Sequence, residues 1–412
     1  VPELRRRALI ILSYLIIFRL IANIPLPDVD LERIKNLIAA NQLFGVLNIF
    51  LGNTLRRLSI AMLGVGPYIT AIIIMQLLTM IYPRLKEMYY EEGEAGRSKF
   101  NQYGRLLTVP LALLQSFGFL KFLESQGVII FASPVDLIRD TILVTTGTIF
   151  LMWLGELITE QKLANGISLI IFSGIVADGP KIIQQSIISF SLDKLNGYLI
   201  FLVMAVIVVA GIIFISEGER RVPLSFSKRV RGTKLYGGAS TYIPIRVNQA
   251  GVIPIIFAIS VLLFPATLNQ ILSVTGISSI QQISGAINKF LQNSVVFSSL
   301  YFILVFLFTY FYTAITFEPN ELALNFQKSG AFILGIRPGK ETAKYLSKIV
   351  SRMTLFGALF LGLIAILPEI TNVITGLPFA RIGGTSLLIV VSVAIESLRQ
   401  IEAELSARRY EV

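Results

Sequence analysis

Leu58 to Tyr82 reads LSIAMLGVGPYITAIIIMQLLTMIY. The stretch is long and apolar enough to enter a bilayer, which takes about 20 apolar residues, yet Gly64, Gly66 and Pro67 interrupt it near its beginning. Glycine loosens the backbone, and proline removes an N–H and pushes the residue before it out of the α region. Two pieces with a break between them are therefore expected. Lipid tolerates a broken helix only where protein or a water-filled cavity receives the freed backbone groups. The break points to the interior of a membrane protein, beside a pathway.

The rest of the chain agrees. Of 412 residues, 54% are hydrophobic and 15% charged, and the mean hydropathy is +0.74. This is the composition of an all-α polytopic membrane protein with short loops. Apolar segments able to span lie near 8–24, 60–81, 106–123, 138–158, 166–188, 198–216, 250–268, 299–317, 350–367 and 384–398. The chain starts at Val1 and not at Met, so further N-terminal sequence is expected; the first apolar segment is long enough to insert and stay, so no cleaved leader is expected. With the N-terminus in the cytoplasm, 25 of the 36 Lys and Arg fall on cytoplasmic segments. The positive-inside rule then places both termini there, which requires an even number of spans, and ten satisfies it.

Five spans per half is odd, so halves that repeat must be inverted across the membrane plane. Residues 1–190 would form the N-terminal half and 191–412 the C-terminal half. A weak echo supports this: Gly64-Val65-Gly66-Pro67 opens the second span, and Gly251-Val252-Ile253-Pro254 opens the seventh, each the second of its half. Gly and Pro are common in membrane helices, so chance is a rival explanation.

Three segments outside the spans stand out. Asn41 to Leu58 is too short and too polar to cross, and reads either as a re-entrant helix or as an amphipathic helix on the outer surface. Residues 217–246 alternate apolar and polar around Val222, Leu224 and Phe226 before Arg231-Gly232 and Gly237-Gly238, which suggests a cytoplasmic β-hairpin or long ordered loop. Residues 318–348 form a second exposed basic loop. The bland reading of these cations is topological; the functional one is a docking surface for something acidic or phosphate-bearing.

The missing chemistry narrows the class further. The sequence holds no Cys and no His, which removes disulfides, thiol nucleophiles, Cys/His zinc sites and histidine proton relays. No nucleotide-binding fingerprint or nucleophile elbow is visible, so neither an enzyme nor a cofactor is expected. Arg19, Glu156, Glu217, Glu318 and Glu396 sit toward segment ends, and Asp178 adjoins a Gly-Pro pair. An ion-coupled transporter would keep such groups at mid-membrane. What remains is an apolar pathway, which gates by dewetting: water leaves a narrow aliphatic ring, and ions then face an uncompensated desolvation cost. Such a ring can widen around an extended polypeptide, because aliphatic side chains make no directional bonds. Gln76 and Asn248, polar residues at helical contacts, are candidates to hold two halves closed at about 1 kcal/mol per contact.

Six stretches carry a resemblance: LGVGPYITAIIIMQLLT, FLMWLGELITEQKLANGISLIIFSGIV, RVNQAGVIPIIFA, LFPATL, KSGAFILGIRPGKETAKYL and IGGTSLLIVV. In this order, over essentially the whole chain, they resemble the SecY family of the bacterial Sec translocon. The resemblance implies a protein-conducting channel in the plasma (inner) membrane, with an aliphatic pore ring, a plug helix and a lateral gate toward lipid. Matched motif to motif, the ring would be Val65, Ile69, Ile167, Ile171, Ile256 and Ile389. The plug would comprise Asn48, Ile49, Phe50, Leu51, Gly52, Asn53, Thr54, Leu55, Arg56, Arg57 and Leu58. Gln76 and Asn248 match polar positions of a gate between the second and third spans and the seventh and eighth. Arg337 in GIRPG matches a cytoplasmic arginine associated with docking, and Lys228, Arg229, Arg231 and Lys234 lie in the first basic loop. The partners implied are SecE and SecG, the ATPase SecA, the ribosome, secretory precursors and nascent membrane polypeptides. On the residues alone, a secondary transporter with inverted repeats and a membrane scaffold stay open as alternatives.

Overall fold

The computed structural model describes residues 2–27, 54–55, 58–125, 127–188, 195–226, 229–231, 234–236, 240–259, 261–262, 293–375 and 383–409. The chain divides into two compact units. The first gathers the described residues of Val1–Leu195, Ile259–Phe297 and Val393–Val412, and the second those of Asn196–Ala258 and Ser298–Ser392.

The first unit contains α1 (Pro2–Ile21), α2 (Gly66–Ile81), α3 (Pro83–Tyr90), α4 (Gly93–Ser125), α5 (Pro134–Glu160), α6 (Gly166–Val176) and α7 (Gly179–Ile188). Helix α5 is the hub. It packs against α1, α2, α4 and α6, and its Val144, Thr148, Leu151, Leu154 and Ile158 are all at or below 1% exposure. Its start is locally encoded: Pro134 occupies the first turn, and the Asp136 carboxylate accepts from the backbone N–H and the hydroxyl of Ser133 at 3.0 and 3.2 Å.

The break expected in Leu58–Tyr82 is present, but the piece before it is not helical. Residues 58–65 run through successive turns, with Leu58 at φ 41° and Gly64 at φ 53°, and both values lie outside the helical region. This segment pairs with the chain leaving α1: Leu26 N–H donates to Leu58 O at 2.9 Å and Ile60 N–H to Ile24 O at 3.0 Å. Helix α2 begins only at Gly66, with Pro67 in its first turn. The fifth expected span, 166–188, is likewise two helices. They break at Ala177-Asp178, and the 93%-buried Asp178 lies 3.7 Å from Arg19 of α1.

The second unit holds α8 (Leu195–Glu217, from Asn196 on), strands β1 (Glu219–Phe226), β2 (Arg229–Arg231), β3 (Lys234–Tyr236) and β4 (Ser240–Arg246), the helical residues 253–259 as far as Ala258, α9 (Ser294–Thr316, from Ser298 on), α10 (Pro319–Ser329), β5 (Ala331–Phe332), α11 (Lys340–Thr375) and the start of α12 (Gly383–Arg409). The alternating pattern around Val222 does form a hairpin, β1 against β4, with Val222 opposite Ile243. Residues 318–348 correct the expectation of a single loop: α10, the two-residue β5 and the first turns of α11 take up most of them, and the turn 333–339, with Arg337, is irregular. Strand β5 pairs with β1, so both basic segments join one sheet ordered β4-β1-β5. Val222, Leu224, Ile245, Ala331, Ile333 and Leu346 form its apolar core.

Among the described residues, five helices are long and apolar enough to cross a membrane on their own. The other expected spans have physical reasons to miss that mark. Helix α2 ends at Pro83, α6 and α7 are broken, α1 and α12 carry charge, and the seventh is described only in part. Helix α8 leaves Leu199, Leu202, Val203, Val206 and Ile207 exposed, as a lipid-facing surface requires.

Candidate functional site

Four of the six expected ring residues lie at the starts of α2 and α6, in the first unit. Val65 is the residue just before α2, at φ −95° and ψ 8°, and Ile69 N–H donates to its carbonyl at 3.0 Å. The two are one turn apart and so share a face. Val65 is 1% exposed and Ile69 half-buried.

Ile167 and Ile171 repeat this spacing on α6. The Asn165 side chain caps the helix, its Oδ1 accepting from Ser168 N–H at 3.1 Å. Gly166 N–H donates to Thr159 Oγ1 at 2.9 Å, tying the cap to α5. The backbones close on each other at the same point, since a Cβ on Gly166 would stand 1.8 Å from Gly155 O.

Helix α5 supports both arms. Gly147 lets it approach the backbone of Ile60, just ahead of Val65, and Gly155 lets it meet Gly166 and Ile167. Eight residues separate the two glycines, about two turns along one side of α5. Small residues at these points are what permits such approach in a membrane helix.

The second unit carries the other two. Ile256 is half-buried in the turn that opens the helical residues 253–259, and Ile389 is 5% exposed in α12. Gln76 is half-buried on α2, where Thr79 Oγ1 donates to its carbonyl at 2.6 Å. Asn248 Nδ2 donates to Gly251 O at 3.2 Å, and its Oδ1 is buried without a partner among the described residues. An unpaired buried acceptor is costly, on the order of 1–3 kcal/mol.

Of the expected plug, Asn48 to Asn53, Arg56 and Arg57 lie outside the described residues. Thr54, Leu55 and Leu58 are each at or below 1% exposure, and Thr54 Oγ1 donates to Met62 O at 3.2 Å.

Among the basic positions, Arg337 is exposed on the turn between β5 and α11, which Thr342 Oγ1 pins by donating to Arg337 O at 2.9 Å. Arg229, Arg231 and Lys234 lie on β2 and β3, with Arg231 opposite Lys234. Lys228 lies outside the described residues. On β1, the guanidinium of Arg221 stacks 4.9 Å from the Tyr242 ring, and its hydrogen bond to Glu219 holds its pKa above the ordinary arginine value.

Sequence reasoning missed the supports: Gly147, Gly155, Thr159 and Asn165. Asn165-Gly166 ahead of an apolar run is a readable cap signal. The two glycines of α5 gave no such signal.

A family model described as SecY matches residues 59–398. The chain belongs to the SecY family. A protein translocase subunit SecY of Escherichia coli K12 is 41% identical over 419 residues, covering 99% of this SecY-family chain and 93% of the relative. A solved protein-conducting channel aligns with a TM-score of 0.65 at 18% identity, over 96% of this chain and 92% of its own. Sec61 of the canine ribosome–channel complex from the endoplasmic reticulum gives 0.63 at 17% identity, over the same shares. The two structural likenesses speak to fold alone: the chain has the SecY/Sec61 channel fold, and ten spans fit that fold.

Proposed function

We propose that this chain is the channel subunit of a protein translocase, passing unfolded polypeptides across the bacterial plasma membrane and releasing apolar segments sideways into lipid. One observation carries the reading: in a SecY-family chain, two aliphatic pairs at helix starts, Val65 with Ile69 and Ile167 with Ile171, are both held by α5. With Ile256 and Ile389 they would form the seal, the N-terminal half 1–190 and the C-terminal half 191–412 each contributing. Residues 48–58 would be the plug.

Gln76 and Asn248 would hold the gate, and the unpaired Oδ1 of Asn248 supports an acceptor awaiting a partner. An emerging segment would partition by its apolar content, gaining about 0.8 kcal/mol per buried methylene. The chain itself would catalyse nothing. Against ion-coupled uptake, the buried carboxylates Asp140 and Asp178 are each ion-paired with an arginine.

Both termini would be cytoplasmic. Arg7 near the start of α1 and Glu404 near the end of α12 are 3.1 Å apart, which favours two ends on one side. The sheet joining both basic segments would then face the cytoplasm and receive SecA or the ribosome, with SecE and SecG as further subunits. Arg337→Glu is expected to weaken docking about tenfold or more, slowing translocation without altering the melting profile. Translocation at the parental rate would remove Arg337 from the docking surface.

The deciding experiment uses the cysteine-free background. A single Ile171→Cys chain is reconstituted with SecE and SecA, and a precursor bearing one Cys is stalled in mid-chain and oxidised. A mixed disulfide that requires ATP and a signal sequence is expected. No cross-link, with lipid-facing control positions equally silent, would mean that the polypeptide does not pass through this chain.

A further inference from the structure

Helix α11 enters the membrane through an abrupt change of character. Lys340, Lys344, Lys348 and Arg352 punctuate its beginning, and no charge follows until Glu369. Helix α8 does the same in reverse: no charge interrupts it until Glu217, and Arg220 follows on β1. The two helices pack together, the Phe360 ring lying 3.2 Å from where a Cβ on Gly211 would stand. Arg220 and Arg352 therefore mark one level, where water gives way to hydrocarbon.

A cavity of about 380 Å³ opens at that level, a size that holds small ligands. Arg220 closes one side, and a single face of α11 forms the other, with Lys348 and Arg352 one turn apart above Met353 and Phe356. No carboxylate lines it, and among the described residues none of the three cations has an ion-pair partner. The apolar floor does not end at the cavity. Phe356 is 64% exposed, and the same face of α11 continues through the exposed Leu359 and Leu363.

We propose that this cavity binds an anionic phospholipid, with its phosphate among Arg220, Lys348 and Arg352 and an acyl chain laid over Met353 and Phe356. Charge and polarity order the ligand: the cations ask for an anion on the water side, and the exposed apolar face asks for hydrocarbon directly beneath it. A phospholipid has both in that order. An acidic peptide would match the cations and leave the lower face uncovered. The proposal goes beyond the conduit reading, since neither the pore nor the docking loops require it.

The test places the full chain in nanodiscs of phosphatidylcholine. Trp153→Phe removes the single native indole, and Phe356→Trp puts a reporter at the floor. A minor fraction of phosphatidylglycerol brominated in its acyl chains is expected to quench that indole more than the same fraction of brominated phosphatidylcholine. Arg352→Gln should reduce the preference about fivefold, and Arg352→Lys should retain most of it. Equal quenching by the two lipids would overturn the proposal, as would a preference that survives Arg220→Gln, Lys348→Gln and Arg352→Gln together. Silence toward both lipids would mean that a protein covers the face, and would overturn it too. If Phe356→Trp does not fold, native mass spectrometry of the parent chain decides. Phosphatidylglycerol retained by the parent and lost from the triple Gln variant supports the site, and equal retention rejects it.

Discussion

A chain carrying Gly in place of both Ile69 and Ile171 should pass ions at rest where the parent passes none. The two side chains sit one on α2 and one on α6, each at a helix start that α5 supports, and their loss removes much of the aliphatic bulk that the first unit would give to the proposed seal. A barrier lowered by only about 1.4 kcal/mol raises a leak about tenfold, and one fully buried isoleucine represents about 1.5–3 kcal/mol of apolar burial. Planar-bilayer conductance is the measurement. Leu199→Gly, on the exposed face of α8, serves as the control that should stay silent. Because Ile171 is only 3% exposed, its loss also leaves a cavity, so Ile69→Gly alone is recorded beside the double variant. Conductance equal to the parent's in both would remove these residues from the seal.

Gly166→Val is the substitution expected to damage the fold most. The first atom added would stand 1.8 Å from Gly155 O, 2.7 Å from Gly155 C and 2.9 Å from Ile158 Cβ. Two of those three neighbours are backbone atoms of α5, so no side-chain rotation relieves the clash, and α6 has to leave α5. Overpacking costs about 1–3 kcal/mol where side chains can adjust, and more is expected here. The hydrogen bond from Gly166 N–H to Thr159 would be lost with it. Thermal unfolding in detergent should show a marked drop in midpoint, and an unchanged midpoint would contradict the close approach.

The long apolar helices were legible because membrane helices announce themselves by length of apolar run, and the break at Gly64-Pro67 because two glycines beside a proline loosen and then restrict the backbone at one point. What lies on either side of the break was not. Residues 58–65 turn because they pair with 24–26, and nothing in the local sequence encodes that partner. Asp178 was visible as a charge beside a Gly-Pro pair, but its partner Arg19 lies at the far end of α1. Strand β5 has two residues, too few for any alternation to register, and only its pairing with β1 makes it a strand. The aliphatic pairs could be read from motif; the glycines of α5 that hold them could not, because a glycine that permits contact looks like a glycine that merely sits in a helix.

The ion pair between Arg7 and Glu404 spans 397 positions of sequence. The first unit begins with α1 yet takes in the end of α12, while the second unit lies wholly between them in sequence. Residues of the first unit are therefore made both before and after those of the second, and the first unit stays incomplete until residues 393–409 exist. Contacts of such separation form late, because loop closure must come first. For most of its own synthesis, the unit that carries Val65, Ile69, Ile167 and Ile171 lacks its segment of α12 and the Arg7–Glu404 ion pair with it. Chain elongation itself acts as a timer: the pair between Arg7 and Glu404 cannot form before the segment of α12 that completes the first unit has been made.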